Sequence, residues 1–154
     1  MIRKAVKQDI DELTALHFVL IKHLKKENPS RYVISDKWKK SFVHKLKNNL
    51  NDKDAIVIVD EEKGKIRGFG IGRIKNHPHF VKHDKFGEIT EVVVETNSQR
   101  KGIGSKISKK ILEFFKKKGI KSSELFVDIN NKTAINTWKK LGFEETTKGM
   151  IIDI

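Results

Sequence analysis

The sequence predicts an α+β domain of six or seven strands and about four helices. Three observations carry this. Apolar residues alternate along the chain between a helical and a two-residue period. Two β-rich runs flank an acidic turn ending in glycine. A valine run leads through a glycine loop into an amphipathic helix. The 154 residues suit a single domain over 1–154, large enough to bury about two-thirds of its unfolded surface.

Ile2 to Val6 reads as a short strand. Asp9-Ile10-Asp11-Glu12 has the pattern of a capping box opening a helix with Leu13, Leu16, Leu20 and Leu24 on one face, ended by Asn28-Pro29. A second helix carries Trp38, Phe42, Val43, Leu46 and Leu50 and closes at Asn51-Asp52. Ala55 to Val59 and Ile66 to Ile74 form a hairpin around a loop of several residues, Asp60 to Gly64. Residues 75–85 are loop, and Phe86 to Val94 is a strand. Residues 104–118 form a helix with Ile107, Ile111, Phe114 and Phe115 inward and lysines outward, stopped by Gly119. Leu125 to Asp128 is a short strand, Asn131 to Leu141 a helix ended by Gly142, and the remainder alternates well enough for two final strands.

The chain has 37% hydrophobic and 34% charged residues with little Gly or Pro, as an ordered globular protein does. It has no cysteine, which excludes disulfides, thiolate catalysis and zinc-thiolate sites. The start, Met1 to Ala5, leads into charge instead of a signal-type apolar segment, and no apolar run is long enough to span a bilayer, so a cytoplasmic location and no membrane partner are expected. The net charge of +13 raises nucleic acid as a partner. However, only five of the 33 basic residues are arginine, and dispersed lysine speaks more for a solvated surface than for a reader of bases. An anionic small ligand is the simpler expectation.

The place for such a ligand follows Val92-Val93-Val94, where Gln99-Arg100-Lys101-Gly102-Ile103-Gly104-Ser105 joins strand to helix. Gly102 and Gly104 carry no Cβ, so ligand oxygens can approach the main chain. The unpaired N–H groups and positive dipole end of the helix start then favour a phosphate. Arg100, Lys101 and Lys106 add positive charge. A plain strand-to-helix turn would explain the glycines alone.

Two patterns resemble the GNAT superfamily of acetyl-CoA-dependent N-acetyltransferases over essentially the whole chain. Gln99, Gly102 and Gly104 match its phosphate loop. Leu125, Val127, Asn131, Ala134, Trp138, Gly142 and Phe143 match a later pattern in the expected order. The resemblance implies a mixed, mostly antiparallel sheet that splays between the strand ending at Val94 and the strand Leu125 to Asp128. The pantetheine arm of acetyl-CoA would lie in that opening along Val92 to Val94, with its pyrophosphate on the N–H groups of residues 99–105. Unpaired backbone groups at a splayed edge suit an amide-bearing arm.

Acetylation needs an uncharged amine and hence a proton acceptor. Glu88 and Glu91 lie three residues apart on the strand entering the loop, so the pleat points them to opposite faces unless a bulge intervenes. By the resemblance, Glu88 matches the general-base glutamate of the histone-acetylating branch, and water-holding groups of other branches lie nearer Glu91; the count favours Glu88. Either could instead be a solvent-facing carboxylate balancing lysines. Trp138 departs from the family tyrosine that protonates the leaving thiolate, because an indole N–H is not acidic. Tyr32, the only tyrosine, lies in the loop between the first two helices and could substitute or simply pack. Asn131 either contacts the pantetheine or caps the helix after it. His77, His79 and His83 have only Asp84 beside them, so no metal is expected and a loop covering the acceptor site is. The expected partners are acetyl-CoA and a primary amine of a small molecule or peptide, with a homodimer left open. The competing reading is a non-catalytic acyl-CoA-binding or nucleic-acid-associated module of the same fold.

Overall fold

The computed structural model describes residues 1–154. Five strands form one sheet in the order β1-β2-β3-β4-β5, with β1 at Ile2–Lys4, β2 at Ala55–Glu62, β3 at Lys65–Asn76, β4 at Lys85–Val94 and β5 at Ser123–Glu124. All neighbours are antiparallel except β4 and β5. Helices α1 (Ile10–Glu27) and α2 (Trp38–Asn51) pack on one face over a core that includes Leu13, Phe42, Leu46, Val57, Phe69, Ile71 and Val93. Helix α3 (Ile103–Lys117) covers the other face with Ile103, Ile107, Ile111 and Phe115. Trp138 of α4 (Lys132–Lys140) joins that second core from the side.

Helix α3 packs directly on the backbone at the positions where β3 and β4 carry glycine. A Cβ built on Gly70 would stand 2.6 Å from Ile107 Cγ2, and one on Gly72 would stand 2.4 Å from Ile111 Cγ2. One on Gly87 would meet the Phe115 ring at 2.3 Å. The alternate glycines of Gly68-Phe69-Gly70-Ile71-Gly72 thus make a groove for the isoleucine ridge, while Phe69 and Ile71 fill the opposite core.

Several expectations are corrected. The sheet has five strands, not six or seven. The last strand is Ser123–Glu124, paired to Gly87 and Glu88, whereas Leu125 to Asp128 leaves the sheet. Residues 144–154 form no strand, and Met150, Ile151, Ile152 and Ile154 are exposed. Alternation alone does not make a strand, and a two-residue β5 offers these residues almost no ladder to join. The hairpin turn is shorter than expected: Lys63 and Gly64, both with positive φ (51° and 76°), connect β2 to β3 directly. Nor does Asp9 close a capping box with Glu12. Asp9 accepts a bidentate pair of bonds from Arg3 at 2.7 and 2.9 Å, and the guanidinium holds its carboxyl below the usual carboxylate range. Glu12 Oε1 instead accepts from the Ile66 backbone N–H at 2.7 Å, tying α1 to β3.

Gly87→Ala should lower stability by about 1–3 kcal/mol, because a buried aromatic ring must shift to admit the methyl group. A urea midpoint equal to or above that of the parent would show that Phe115 relaxes freely and that the close approach is not required.

Candidate active site

At the end of β4 the chain makes a short 3-10 turn (Thr96–Ser98) and then enters α3 through two left-handed residues, Arg100 (φ 61°) and Gly102 (φ 74°). Gly102 is the N-cap of α3, and no side chain caps the helix there. The first bond of the helix to this residue is Lys106 N–H to Gly102 O at 3.0 Å, so the N–H groups of Ile103, Gly104 and Ser105 precede the helical ladder. A Cβ on Gly102 would meet nothing within 4 Å, which leaves open space beside these donors. Gln99, Arg100, Lys101 and Gly102 are exposed around it, while Ile103 is buried and anchors the turn to the sheet. Gly104 sits 3.7 Å from both Val92 and Val94 at its Cβ position, so the loop rests on the strand. The geometry is that of an anion-binding helix start.

Beside this loop β4 is uncovered. Its pairing to β5 ends at Glu88, so no strand lies along its outer edge over residues 89–94. Val92 and Val94 point toward α3, Val93 toward the core under α1 and α2. An extended, amide-bearing ligand can pair with such an edge.

The two carboxylates stand on the same face. The β3–β4 register jumps from Ile71↔Glu91 to Gly72↔Ile89, leaving Thr90 as an extra residue in β4. This bulge reverses the alternation, so that Gly87, Ile89, Val92 and Val94 turn to α3 and Glu88 and Glu91 both turn to α1 and α2. Glu88 pairs with Lys75. Glu91 Oε1 accepts from Lys45 Nζ of α2 at 2.5 Å, its Oε2 is buried without a partner, and His17 Nε2 of α1 lies 3.8 Å from Oε1. Burial pushes the His17 pKa below its ordinary value, with Lys45 acting in the same direction and Glu91 against it.

His17 and Lys45 were not among the residues expected from the sequence. A signal was present. His17 continues the inward stripe of Leu13 on α1, and Lys45 lies on the line Trp38, Phe42, Lys45, Asn49 of α2, so each is a polar residue on an apolar helix face.

Other expected residues lie apart from this cluster. Asn131 caps α4, its Oδ1 accepting from Ala134 N–H at 3.0 Å, and none of its hydrogen bonds reaches the loop at 99–105. Trp138 packs edge-on against Phe143 with centroids 5.5 Å apart. Tyr32 is half-buried with the Arg31 guanidinium 5.8 Å over its ring. The connection from β3 to β4 is 77–84, shorter at both ends than the expected 75–85, and His77 pins it. Its Nδ1 is 2.7 Å from the His83 carbonyl oxygen, its Nε2 is 2.7 Å from Glu124 Oε1, and its ring stacks on Phe86.

A helix start open to an anion, a strand edge open to an extended arm and a carboxylate face thus lie side by side at one end of β4. Residues 19–143 match the Acetyltransferase (GNAT) family, and the chain belongs to that family. An uncharacterized N-acetyltransferase of Methanocaldococcus jannaschii is 31% identical over 144 residues, which are 94% of this chain and 60% of that protein. The chain thus spans less than two-thirds of that relative. The BH1408 protein of Bacillus halodurans has the same fold with a TM-score of 0.88 at 21% identity, covering 100% of this chain and 99% of that one. An aminoglycoside N-acetyltransferase in complex with CoA superposes with a TM-score of 0.77 at 14% identity, covering 100% and 98%. No helix of the chain is long and apolar enough to cross a membrane.

Only an imidazolium donates from both nitrogens, so the two bonds of His77 favour its protonated form, and the His83 carbonyl and Glu124 raise its pKa above 6.5. The stabilisation is therefore complete below that ordinary value and is lost as pH rises through the raised one. NMR titration of His77 with amide exchange across 77–85 should show the loop loosening at the same pH. Exchange independent of pH, or a titration below 6.5, would contradict the pairing.

Proposed function

We propose that this protein transfers the acetyl group of acetyl-CoA to a primary amine of a small molecule or peptide by direct attack, with a glutamate of β4 as general base. The observation that carries the reading is the adjacency, on one strand end, of the uncapped α3 start at Gly102, the uncovered edge at Val92 to Val94 and the carboxylate of Glu91. The family supports acetyl transfer, and the CoA complex of the aminoglycoside acetyltransferase supports coenzyme A as the carrier.

In this reading the pyrophosphate accepts from the N–H groups at the start of α3, with Arg100 and Lys101 alongside, and the pantetheine amides pair along Val92 to Val94. The thioester then lies at the inner end of that edge, next to Glu91. Each carboxylate is paired with a lysine, but Glu88 is three residues further from the loop, so position along β4 favours Glu91 as the group that takes the proton, although the residue count favours Glu88. Glu91 accepts one proton from the ammonium, the freed lone pair attacks the thioester carbonyl, and the C–S bond breaks. The second amine proton goes to the leaving thiolate. An alkyl thiol has a pKa near 8.5, so the thiolate is a tolerable leaving group without the tyrosine that Trp138 replaces.

The reading is tested by thiol release from acetyl-CoA against a panel of amines, amino acids, antibiotics and short peptides. Glu91→Gln should lower kcat by about 100-fold or more while leaving the acetyl-CoA Kd unchanged, and Glu88→Gln should do less. Undiminished turnover by Glu91→Gln would remove it as the base. Gly102→Val should weaken acetyl-CoA binding in a calorimetric titration, because a branched side chain strains the left-handed backbone and fills the phosphate space. An unchanged Kd would contradict the phosphate loop. Acetyl-CoA binding without release to any acceptor would favour the non-catalytic reading.

A further inference from the structure

We propose that His17 is a positioning residue for Glu91: a neutral imidazole with its proton on Nε2 becomes the carboxylate's hydrogen-bond donor when the acceptor's ammonium displaces Lys45. This rests on the reading of Glu91 as the base.

The orientation of His17 is fixed twice over. Trp38 Nε1–H donates to His17 Nδ1 at 2.9 Å. An indole nitrogen can only donate, so Nδ1 is the bare nitrogen and the proton of the neutral ring is on Nε2, the atom facing Glu91. The ring is also stacked on Phe42, with centroids 3.7 Å apart, while Trp38 lies beside it in nearly the same plane, its centroid 5.8 Å away. Rotation of the imidazole would break both the stack and the bond.

Glu91 Oε1 meanwhile faces two donors of different character. Lys45 holds it at 2.5 Å from the end of a flexible stem that is 35% exposed. His17 waits 3.8 Å away on a side chain only 11% exposed, about 0.6 Å beyond the normal hydrogen-bond range. An arriving ammonium competes with Lys45 for the same carboxylate, since both are cationic donors. Once Lys45 leaves, a rotation of the carboxylate turns the buried, unpartnered Oε2 toward the fixed Nε2–H and leaves Oε1, the oxygen Lys45 has vacated, to the substrate. The charged groups facing His17 are Glu91 from β4 and Lys45 from α2, and no other charged group perturbs it.

Neutrality is what makes the exchange productive. A lysine left against Glu91 would occupy the oxygen that must meet the substrate and would repel the ammonium. A neutral donor orients the carboxylate while leaving its negative charge for the substrate. His17 itself neither gains nor loses a proton: one substrate proton goes to Glu91 and then to solvent, the other to the coenzyme A thiolate.

The test compares His17→Phe, which keeps a stacking ring but removes both nitrogens, with His17→Gln, whose amide can still donate. The substrate is the best amine from the thiol-release panel. Expected for His17→Phe are a fall in kcat of about 10-fold or more, an upward shift of the acidic limb of the kcat/KM pH profile, and an unchanged acetyl-CoA Kd. His17→Gln should recover part of the rate. An unshifted profile with parent kcat in His17→Phe, while Glu91→Gln is inactive, would overturn the positioning role alone. Full activity of Glu91→Gln would instead overturn the reading beneath it. If His17→Phe fails to fold, Trp38→Phe serves in its place: it frees the Nδ1 tautomer and should shift the same limb, and a profile matching the parent would overturn the proposal.

Discussion

The structure depends first on how near α3 comes to the sheet. Gly68, Gly70, Gly72 and Gly87 open a channel in the layer of side chains between helix and sheet, bordered by Ile56, Ile58 and Ile89, and the ridge of Ile107, Ile111 and Phe115 settles into it. The depth of that contact sets the height at which the helix begins. With Gly104 against Val92 and Val94, the free N–H groups of the first turn open beside the last residues of β4 rather than above them. An anion held by the helix and an arm paired to the strand can therefore belong to one molecule.

The second constraint is the single extra residue at Thr90. Without it, Glu88 and Glu91 would face opposite sides, and one would be driven against the isoleucines of α3. With it, β4 keeps Ile89, Val92 and Val94 toward α3 on both sides of the bulge and puts both carboxylates on the opposite face. The helices answer with complementary groups, Lys45 from α2 and His17 from α1, so the electrostatics of that face are settled by three elements far apart in sequence.

Much of this was legible in the chain. The helices were visible through their apolar stripes, and the loop from Gln99 to Gly104 was visible because its residue types have few other uses after a valine-rich strand. The bulge was not, since nothing in Glu88-Ile89-Thr90-Glu91 says which residue the neighbouring strand skips; only the pairing with β3 decides it. Asp9 and Glu12 illustrate the same limit. Their spacing fits a local cap, yet Arg3 and the Ile66 N–H outcompete it, and both belong to strands brought in by the fold. The C-terminal residues failed in the other direction: their alternation is present, but a ladder needs a partner. His17 and Lys45 were readable as polar breaks in apolar stripes, whereas their meeting at Glu91 required the tertiary contacts.

The two-residue length of β5 has a consequence for what can enter beside β4. The opening begins after Glu88, where the pairing to Ser123–Glu124 ends, and stops at the start of α3, so residues 89–94 offer about 20 Å of bare edge at ~3.3 Å per residue. A slender flexible tether can slide into it lengthwise and satisfy its amides on the exposed rungs. The same bare backbone would elsewhere invite self-association, and here its shortness limits how many rungs a second strand could gain, whereas a tether needs only a few.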